Sequence, residues 1–313
     1  MARSRKGRPV DGILLLDKPF GLSSNQALQR AKHFFGAQKA GHTGSLDPMA
    51  TGLLPICLGE ATKFSQYLLN ADKSYEATIR FGESTATGDA EGELLASSDA
   101  SHLSESDILS AIKPLTGAIE QVPPMYSALK VGGQPLYKLA REGREIERQP
   151  RAVMVYQFIV TAFRPGPLPE ADVVVECSKG TYIRSLAMDL GEALGVGAHL
   201  SRLRRTAVGG WNICSAVSLS TLEQMNRVGA LQEMDGLLIP PEMAVNHLPR
   251  VELAGMAGYH AALGQTVPVP DLHLEGLVRL YQAGGIFLGV GEITDDGRVS
   301  PRRMVASRES AKE

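Results

Sequence analysis

The sequence predicts an α+β fold: a mixed or antiparallel β-sheet core carrying a surface insertion, followed by a small C-terminal β module. Three observations predict it. Strand-like and helical stretches alternate irregularly instead of in βαβ order, which argues against a doubly wound parallel sheet. The stretch 122–149 breaks the pattern with Pro123-Pro124, Gly132-Gly133, Pro135 and dense charge, as a segment folded over a surface does. A second break runs from Pro240-Pro241 to Pro249, and beyond it residues 251–307 are Gly-rich and strand-like.

Taken in order, the first strand is expected over 12–16, where Ile13-Leu14-Leu15-Leu16 is bounded by Asp11 and Asp17, and the turn Lys18-Pro19-Phe20-Gly21 ends it. A helix follows from a Ser23 or Ser24 cap, with Ala27, Leu28, Ala31 and Phe35 at helical spacing and Gly36 as its stop. Gly41, Gly44, Pro48 and Gly52 punctuate 39–52, which is expected to be loop throughout. Residues 53–58 read as a buried strand and 74–81 as another. Ser104, with Asp107 three residues on, is a capping signal for the next helix. Residues 153–163 and 172–177 are strand-like, 182–194 helical, and 285–293 with 298–306 flank the turn Asp295-Asp296-Gly297.

The chain has 313 residues, 32 Lys plus Arg against 34 Asp plus Glu, and 43% apolar content, the composition of a folded chain of roughly two domains. No apolar run approaches the roughly 18 residues of a membrane span, so integral membrane classes are excluded. Met1 to Pro9 is basic but lacks the apolar stretch and cleavage site of a secretory signal, and a cytoplasmic location is expected. Cys57, Cys177 and Cys214 are widely separated and odd in number, which argues against a disulfide framework and a zinc cluster.

Near-neutral net charge hides asymmetry. Residues 81–112 carry Glu83, Asp89, Glu91, Glu93, Asp99, Glu105 and Asp107 without a Lys or Arg. Four basic segments offset them: Arg3, Arg5, Lys6 and Arg8 in a tail expected to be disordered over 1–9; Lys130, Lys138, Arg141, Arg144 and Arg148 in the insertion; Arg202, Arg204 and Arg205; and Arg298, Arg302, Arg303 and Arg308. Gathered on one side they would form a phosphate-tracking surface; scattered, they are ordinary solvated charge.

The chemistry concentrates in Lys39-Ala40-Gly41-His42-Thr43-Gly44-Ser45-Leu46-Asp47-Pro48-Met49-Ala50-Thr51-Gly52. A hydrolase triad of His42, Ser45 and Asp47 is a weak reading, because triad members come from distant segments so that they can face one another. The glycine spacing misses the phosphate-loop pattern, and one His with one Asp supplies too few metal ligands. A single carboxylate, Asp47, survives as a candidate nucleophile, against the alternative of an ordinary loop Asp capping a turn.

The sequence closely resembles the bacterial TruB family of tRNA pseudouridine synthases, which convert uridine 55 in the T arm. The resemblance rests on Leu16-Asp17-Lys18-Pro19-x-Gly21-x-Ser23-Ser24-Asn25, Gly41-His42-Thr43-Gly44-x-Leu46-Asp47-Pro48, Lys73-x-Tyr75, and Met125-Tyr126-Ser127-Ala128-Leu129-Lys130. It continues through Cys177-Ser178-Lys179-Gly180-Thr181-Tyr182-Ile183-Arg184, Leu203-Arg204-Arg205, Gly289-x-Gly291-Glu292-Ile293 and Pro301-Arg302-Arg303. It implies a pseudouridine synthase catalytic domain over 10–249 with a thumb-like insertion at about 122–150, and a PUA-like RNA-binding domain over 250–313.

The resemblance also implies roles. Asp47 is the catalytic aspartate, Tyr75 stacks on the target base near C5, and Arg184 pairs with the aspartate. Leu203 is an apolar wall, His42 helps displace the base, and Lys18 and Pro19 form a strand-turn beside the pocket. Tyr182, Lys130, Arg141, Arg302 and Arg303 are expected on the substrate side. The implied partner is the T-arm stem-loop of tRNA, with no cofactor, metal, membrane or obligate protein partner, in a monomer. The chemistry agrees: breaking an N-glycosidic bond and forming a C-glycosidic one needs a nucleophile and a dry pocket, and a base inside folded RNA must be flipped out onto a stacking face. Arg184 is expected to hold Asp47 ionised through a bidentate contact. The insertion is expected to close over RNA, and the C-terminal module to add affinity without chemistry, so that removing it after Pro249 leaves a folded core. The competing expectations are an RNA-binding or tRNA-folding module without turnover, and a guide-RNA-dependent synthase.

Overall fold

The computed structural model describes residues 7–269 and 273–306. The chain opens with β1 (Gly12–Lys18), α1 (Ser24–Phe34), β2 (Ala40–His42) and β3 (Thr51–Leu58), then the short α2 (Ser65–Leu69) and β4 (Lys73–Phe81). A hairpin of β5 (Glu83–Thr85) and β6 (Leu94–Ser97), helix α3 (Glu105–Ile112) and β7 (Gly117–Gln121) follow. The insertion holds β8 (Lys130–Val131), β9 (Gln134–Pro135) and α4 (Leu136–Arg141). Next come β10 (Arg151–Arg164), β11 (Glu170–Cys177), α5 (Ile183–Ala193), β12 (Ala198–Val208), β13 (Trp211–Asn212), β14 (Val217–Ser218), α6 (Leu219–Arg227) and α7 (Leu231–Asp235). The last part comprises β15 (Arg250–Leu253), α8 (Met256–Ala262), β16 (Val267–Pro268), β17 (Leu277–Gln282), β18 (Ile286–Ile293) and β19 (Arg298–Met304).

The main sheet has ten strands, ordered β14-β1-β3-β12-β4-β11-β10-β7, with β13 beside β12 and β2 beside β3. It is mixed, because β1 runs parallel to β14 and β3 parallel to β12 while its other pairs are antiparallel. The unbroken apolar run of β1 has a structural reason: Leu14 and Leu16 enter one core with α1 and α5, whereas Ile13 and Leu15 enter a second core on the opposite face. A strand covered on both faces does not alternate with polar residues. Ser23 caps α1 in a capping box with Gln26, and Ser104 does the same for α3 with Asp107, which removes orphan backbone donors at both helix starts.

The C-terminal strands form a curled five-stranded sheet ordered β15-β17-β18-β19-β16. Val251, Leu253 and Leu280 build its own core. Val290, with Phe287, Leu277 and Val305 around it, instead packs on the second face of the main sheet, where the rings of Phe64 and Phe287 lie 5.4 Å apart. The C-terminal sheet therefore covers apolar surface of the main one, and its removal would bare Phe64. That runs against an independent core surviving truncation after Pro249.

Four further expectations change. The loop expected throughout 39–52 contains β2, whose three residues pair with Ile56, Cys57 and Leu58. The third basic cluster lies on β12 at the centre of the main sheet and is split: Arg205 is 1% exposed, Arg204 is half-buried against Asp17, and only Arg202 is exposed. Within the tail expected to be disordered, residues 7–9 are described, and Arg8 donates to Asp235 and to the Phe35 carbonyl; Arg3, Arg5, Lys6 and Arg308 lie outside the described residues. Arg302 and Arg303, which after Pro301 read as lying on an edge of a small β barrel, are not on an edge strand, because β19 sits between β18 and β16.

Phe64 is fully buried between the two sheets. Phe64→Ala should cost about 3–5 kcal/mol in urea denaturation. Combined with Phe287→Ala, the loss should be less than the sum of the single losses, because both mutations empty one layer.

Candidate active site

The loop between β2 and β3 carries Asp47 and is fastened on both sides of it. Ser24 Oγ donates to the Leu46 carbonyl at 3.0 Å and accepts from the Leu46 N–H at 2.7 Å. The Gly21 N–H donates to the Pro48 carbonyl at 2.8 Å. Lys18 is fully buried, and its ammonium donates to the carbonyls of Pro19 at 2.9 Å, Leu22 at 2.6 Å and Pro48 at 3.4 Å. The turn Pro19–Gly21 thus wraps a cation and rests on the residue after Asp47. Burial holds the Lys18 ammonium down to about 8.

Gly52, the second residue of β3, has φ +104°, and a Cβ there would meet the Arg205 carbonyl oxygen at 2.2 Å. No other residue lets the loop enter β3 this close to β12.

Arg184 lies one residue into α5, where the break after β11 gives way to helix, and its side chain is 5% exposed. Its Nε is 3.0 Å from Asp47 Oδ2 and 3.8 Å from Asp89 Oδ2. The contact with Asp47 is single-pointed and not the expected bidentate fork. Nη1 donates to the Thr87 carbonyl and Nη2 to the Tyr126 carbonyl, both at 2.7 Å, so the fork is taken up by backbone. Arg184 thereby ties the Asp47 loop, the segment after β5 and the root of the insertion into one cluster. Asp89 is 3% exposed and accepts from Thr87 Oγ1 at 2.5 Å and from the Glu91 N–H at 3.1 Å. Burial pushes the Asp47 carboxyl up; Arg184 opposes this, and Asp89 adds to it. The arginine moderates the burial cost without reversing it.

Tyr75 on β4 is 9% exposed. Burial raises its phenol, Arg205 opposes the rise, and the Asp47 charge reaches it. Leu203, 6% exposed, sits on β12 beside Ala77 and on the same sheet face as Tyr75. His42 closes β2, and its Nδ1 is buried without a hydrogen-bond partner; burial and then Arg205 lower its basicity. Tyr182 caps α5, with its N–H donating to Gln121 Oε1 at 2.7 Å while its carbonyl accepts from Gln121 Nε2 at 3.0 Å.

The structure brings together Asp47, Arg184, Tyr75, Leu203, His42, Lys18 and Pro19, with Tyr182 at the helix start. It places the remaining candidates elsewhere. Lys130 is exposed on β8, and Arg141 on α4 lies 5.6 Å over the Tyr137 ring. Two of the insertion's cations are paired, Arg144 with Glu142 at 3.8 Å and Arg148 with Glu145 at 3.7 Å. Arg302 is held by Glu292 at 2.5 Å. With Arg303 it borders a separate groove of about 830 Å³ lined also by Lys63, Tyr67, Trp211 and His247.

Sequence reasoning missed Asp89 and Arg205. Asp89 was one acid in a block read as bulk charge, and nothing local distinguishes it. Arg205 carried a signal: it stands two residues after Leu203, in strand phase with an apolar position.

Comparison with known proteins places this cluster in context. A family model described as TruB family pseudouridylate synthase (N terminal domain) matches residues 32–183. Models described as tRNA pseudouridylate synthase B C-terminal domain and as pseudouridine synthase II TruB, C-terminal, match 184–246 and 249–305. A protein of Saccharophagus degradans named tRNA pseudouridine synthase B is 52% identical over 97% of this chain and 98% of its own length. One of Pseudomonas aeruginosa with the same name is 50% identical over 96% and 97%. Among solved structures, an H/ACA ribonucleoprotein bound to a substrate RNA containing 2'-deoxyuridine superposes with a TM-score of 0.72 at 25% identity, covering 99% of this chain and 92% of that one. A Cbf5-Nop10-Gar1 complex gives 0.68 at 28% identity, covering 96% and 81%.

Lys18 supplies a pH test. Its ordinary value is 10.5 and its folded value about 8. Between these values the unfolded chain keeps a proton that the folded chain has lost, so this group's contribution to stability rises with pH across that window. The stability of the parent minus that of Lys18→Met, from urea denaturation, should therefore increase from pH 8 toward 10.5. A flat difference would contradict a buried ammonium.

Proposed function

The chain belongs to the TruB family of pseudouridylate synthases, and from that premise we propose that it isomerises uridine to pseudouridine in tRNA, at position 55 of the T arm, with Asp47 as nucleophile. The observation that carries the reading is the Asp47 carboxylate, held at 3.0 Å from a buried Arg184 on a loop fastened by Ser24, Gly21 and Lys18. Isomerisation transfers a uracil from its N1 to its C5 on the same ribose, so it needs a nucleophile, a proton acceptor for C5 and exclusion of water. Asp47 supplies the first and Tyr75 stands as the second. Leu203, with the core behind it, makes a dry wall, and His42 presents a neutral ring at the mouth for displacing the base.

In this reading the enzyme acts alone, as a cytoplasmic monomer. The insertion and the C-terminal sheet add phosphate contacts outside the pocket, through Lys130 and Arg141 on one and Arg303 on the other. Identity near one half over almost the full length to proteins named tRNA pseudouridine synthase B supports the stand-alone enzyme over a guide-dependent one, since the H/ACA and Cbf5 structures share about a quarter. The direct test is incubation of a purified T-arm stem-loop with the protein alone, followed by mapping of pseudouridine. Modification that appears only with an added guide RNA would overturn the assignment.

Asp47→Asn should abolish turnover while leaving stem-loop binding within about tenfold, because most affinity comes from backbone contacts. Multiple turnover by this variant would remove Asp47 as nucleophile.

Neutralising Lys130, Lys138 and Arg141, the insertion cations without a carboxylate partner among the described residues, should weaken all tRNA binding alike. Each lost phosphate contact should lower the log-log salt slope by up to about one unit. An affinity loss at constant slope would show that these residues act through folding of the insertion.

A further inference from the structure

Arg205 and Tyr75 are cross-strand partners on β12 and β4. Arg205 is among the largest fully buried side chains. Its Nε donates to the Leu53 carbonyl of β3 at 2.7 Å, and its Nη2 to the Gly44 carbonyl of the Asp47 loop at 3.2 Å. Two donors thus lock the guanidinium in place. Among the described residues no carboxylate lies within ion-pair distance of it. A buried cation without an anion is costly, and a fold that keeps one places positive potential on whatever it faces. Its cross-strand partner on the same sheet face is Tyr75, whose phenol feels the guanidinium's positive charge.

We propose that Arg205 is a positioning residue for Tyr75, fixing the phenol beside the target uracil and stabilising the phenolate that removes the C5 proton. The inference rests on Tyr75 facing the uracil, as proposed above. The phenol first loses its proton to water. After C5 has bonded to the ribose, the C5–H bond breaks. Its proton passes to the phenolate oxygen, regenerating the neutral phenol, and its electron pair becomes the C5–C6 double bond while the C6–N1 π pair moves onto N1, which takes a proton from water. The oxygen carries its negative charge only before this step, which is when an unpaired guanidinium helps most.

The groups around the pair differ in sign. Lys18, Lys73 and His42 all feel Arg205 as a neighbouring positive charge. Against them stand Asp47, from the loop, and Cys177, from β11, which both disfavour a phenolate. Burial raises the phenol, and Arg205 is the largest influence lowering it.

The test is a double-mutant cycle on single-turnover pseudouridine formation in the T-arm stem-loop, with NMR titration of the Tyr75 phenol in the free protein. Arg205→Gln should slow the parent about tenfold or more, Arg205→Lys should recover part of that, and Arg205→Gln in a Tyr75→Phe background should change the rate less than about twofold. The phenol should titrate at higher pH in Arg205→Gln than in the parent. Equal fold-losses in both backgrounds, or an unmoved phenol titration, would show that Arg205 only holds the sheet together and would overturn the proposal. Should Arg205→Gln fail to melt cooperatively, Arg205→Lys carries the same comparison: a loss confined to the Tyr75 background supports the pairing, and an equal loss in both refutes it. A parent protein that leaves the stem-loop unmodified defeats the functional reading instead, while the phenol titration still reports on Arg205.

Discussion

The structure depends on fastening an irregular loop to the end of a regular sheet. The residues between β2 and β3 leave their backbone groups without strand partners, and an unpaired buried carbonyl costs about as much as a lost hydrogen bond. Three buried cations supply the missing donors: Lys18 to Pro48, Arg205 to Gly44, and Arg184 to Thr87 and Tyr126 on the facing segments. A cation that donates to several carbonyls at once fixes distances that one backbone hydrogen bond cannot. Asp47 is held by this backbone lattice, and its own ion pair with Arg184 is one contact within it.

The same arrangement explains the electrostatics. The cluster contains more buried positive than negative groups, yet Asp47 is still pushed up by burial. The cations donate chiefly to backbone carbonyls, and burial outweighs the lowering by Arg184 and Lys18 at the carboxylate. Asp89, on the far side of Arg184, divides that arginine's influence further. The outcome is a carboxylate fixed by its neighbours, on a side chain that stays 39% exposed.

Both faces of the main sheet are covered, one by α1 and α5 and the other by α2 with strand β18 of the C-terminal sheet. That second cover makes the C-terminal part a structural participant as well as a surface for contacts. Surface charge is more self-paired than its segment totals imply: Arg8 meets Asp235, Arg204 meets Asp17, and Arg302 meets Glu292. Pairs this accessible to water contribute little to stability, but they withdraw cations from any anionic partner.

By itself the sequence determined the local elements and the reactive loop. Capping signals at Ser23 and Ser104, the apolar run of β1 and the glycines around Asp47 are short-range features, and backbone sterics with side-chain capping decide them within a few residues. The motifs holding Asp47, Tyr75 and Arg184 were legible for the same reason. Only the tertiary structure decided which charges were buried. Arg205 and Arg204 are neighbours on one strand, yet β12 runs through the middle of the sheet, and its pleat sends Arg205 into the core while Arg204 reaches Asp17. Asp89 lies 42 residues beyond Asp47 in sequence, the difference of the two numbers, and meets it across Arg184 because α5 delivers that arginine between them. Strand order and helix placement bring such residues together through contacts distant in sequence. Composition and spacing carry no record of those contacts, so an aspartate in an acidic block and an arginine in a basic cluster read as surface until the sheet is assembled.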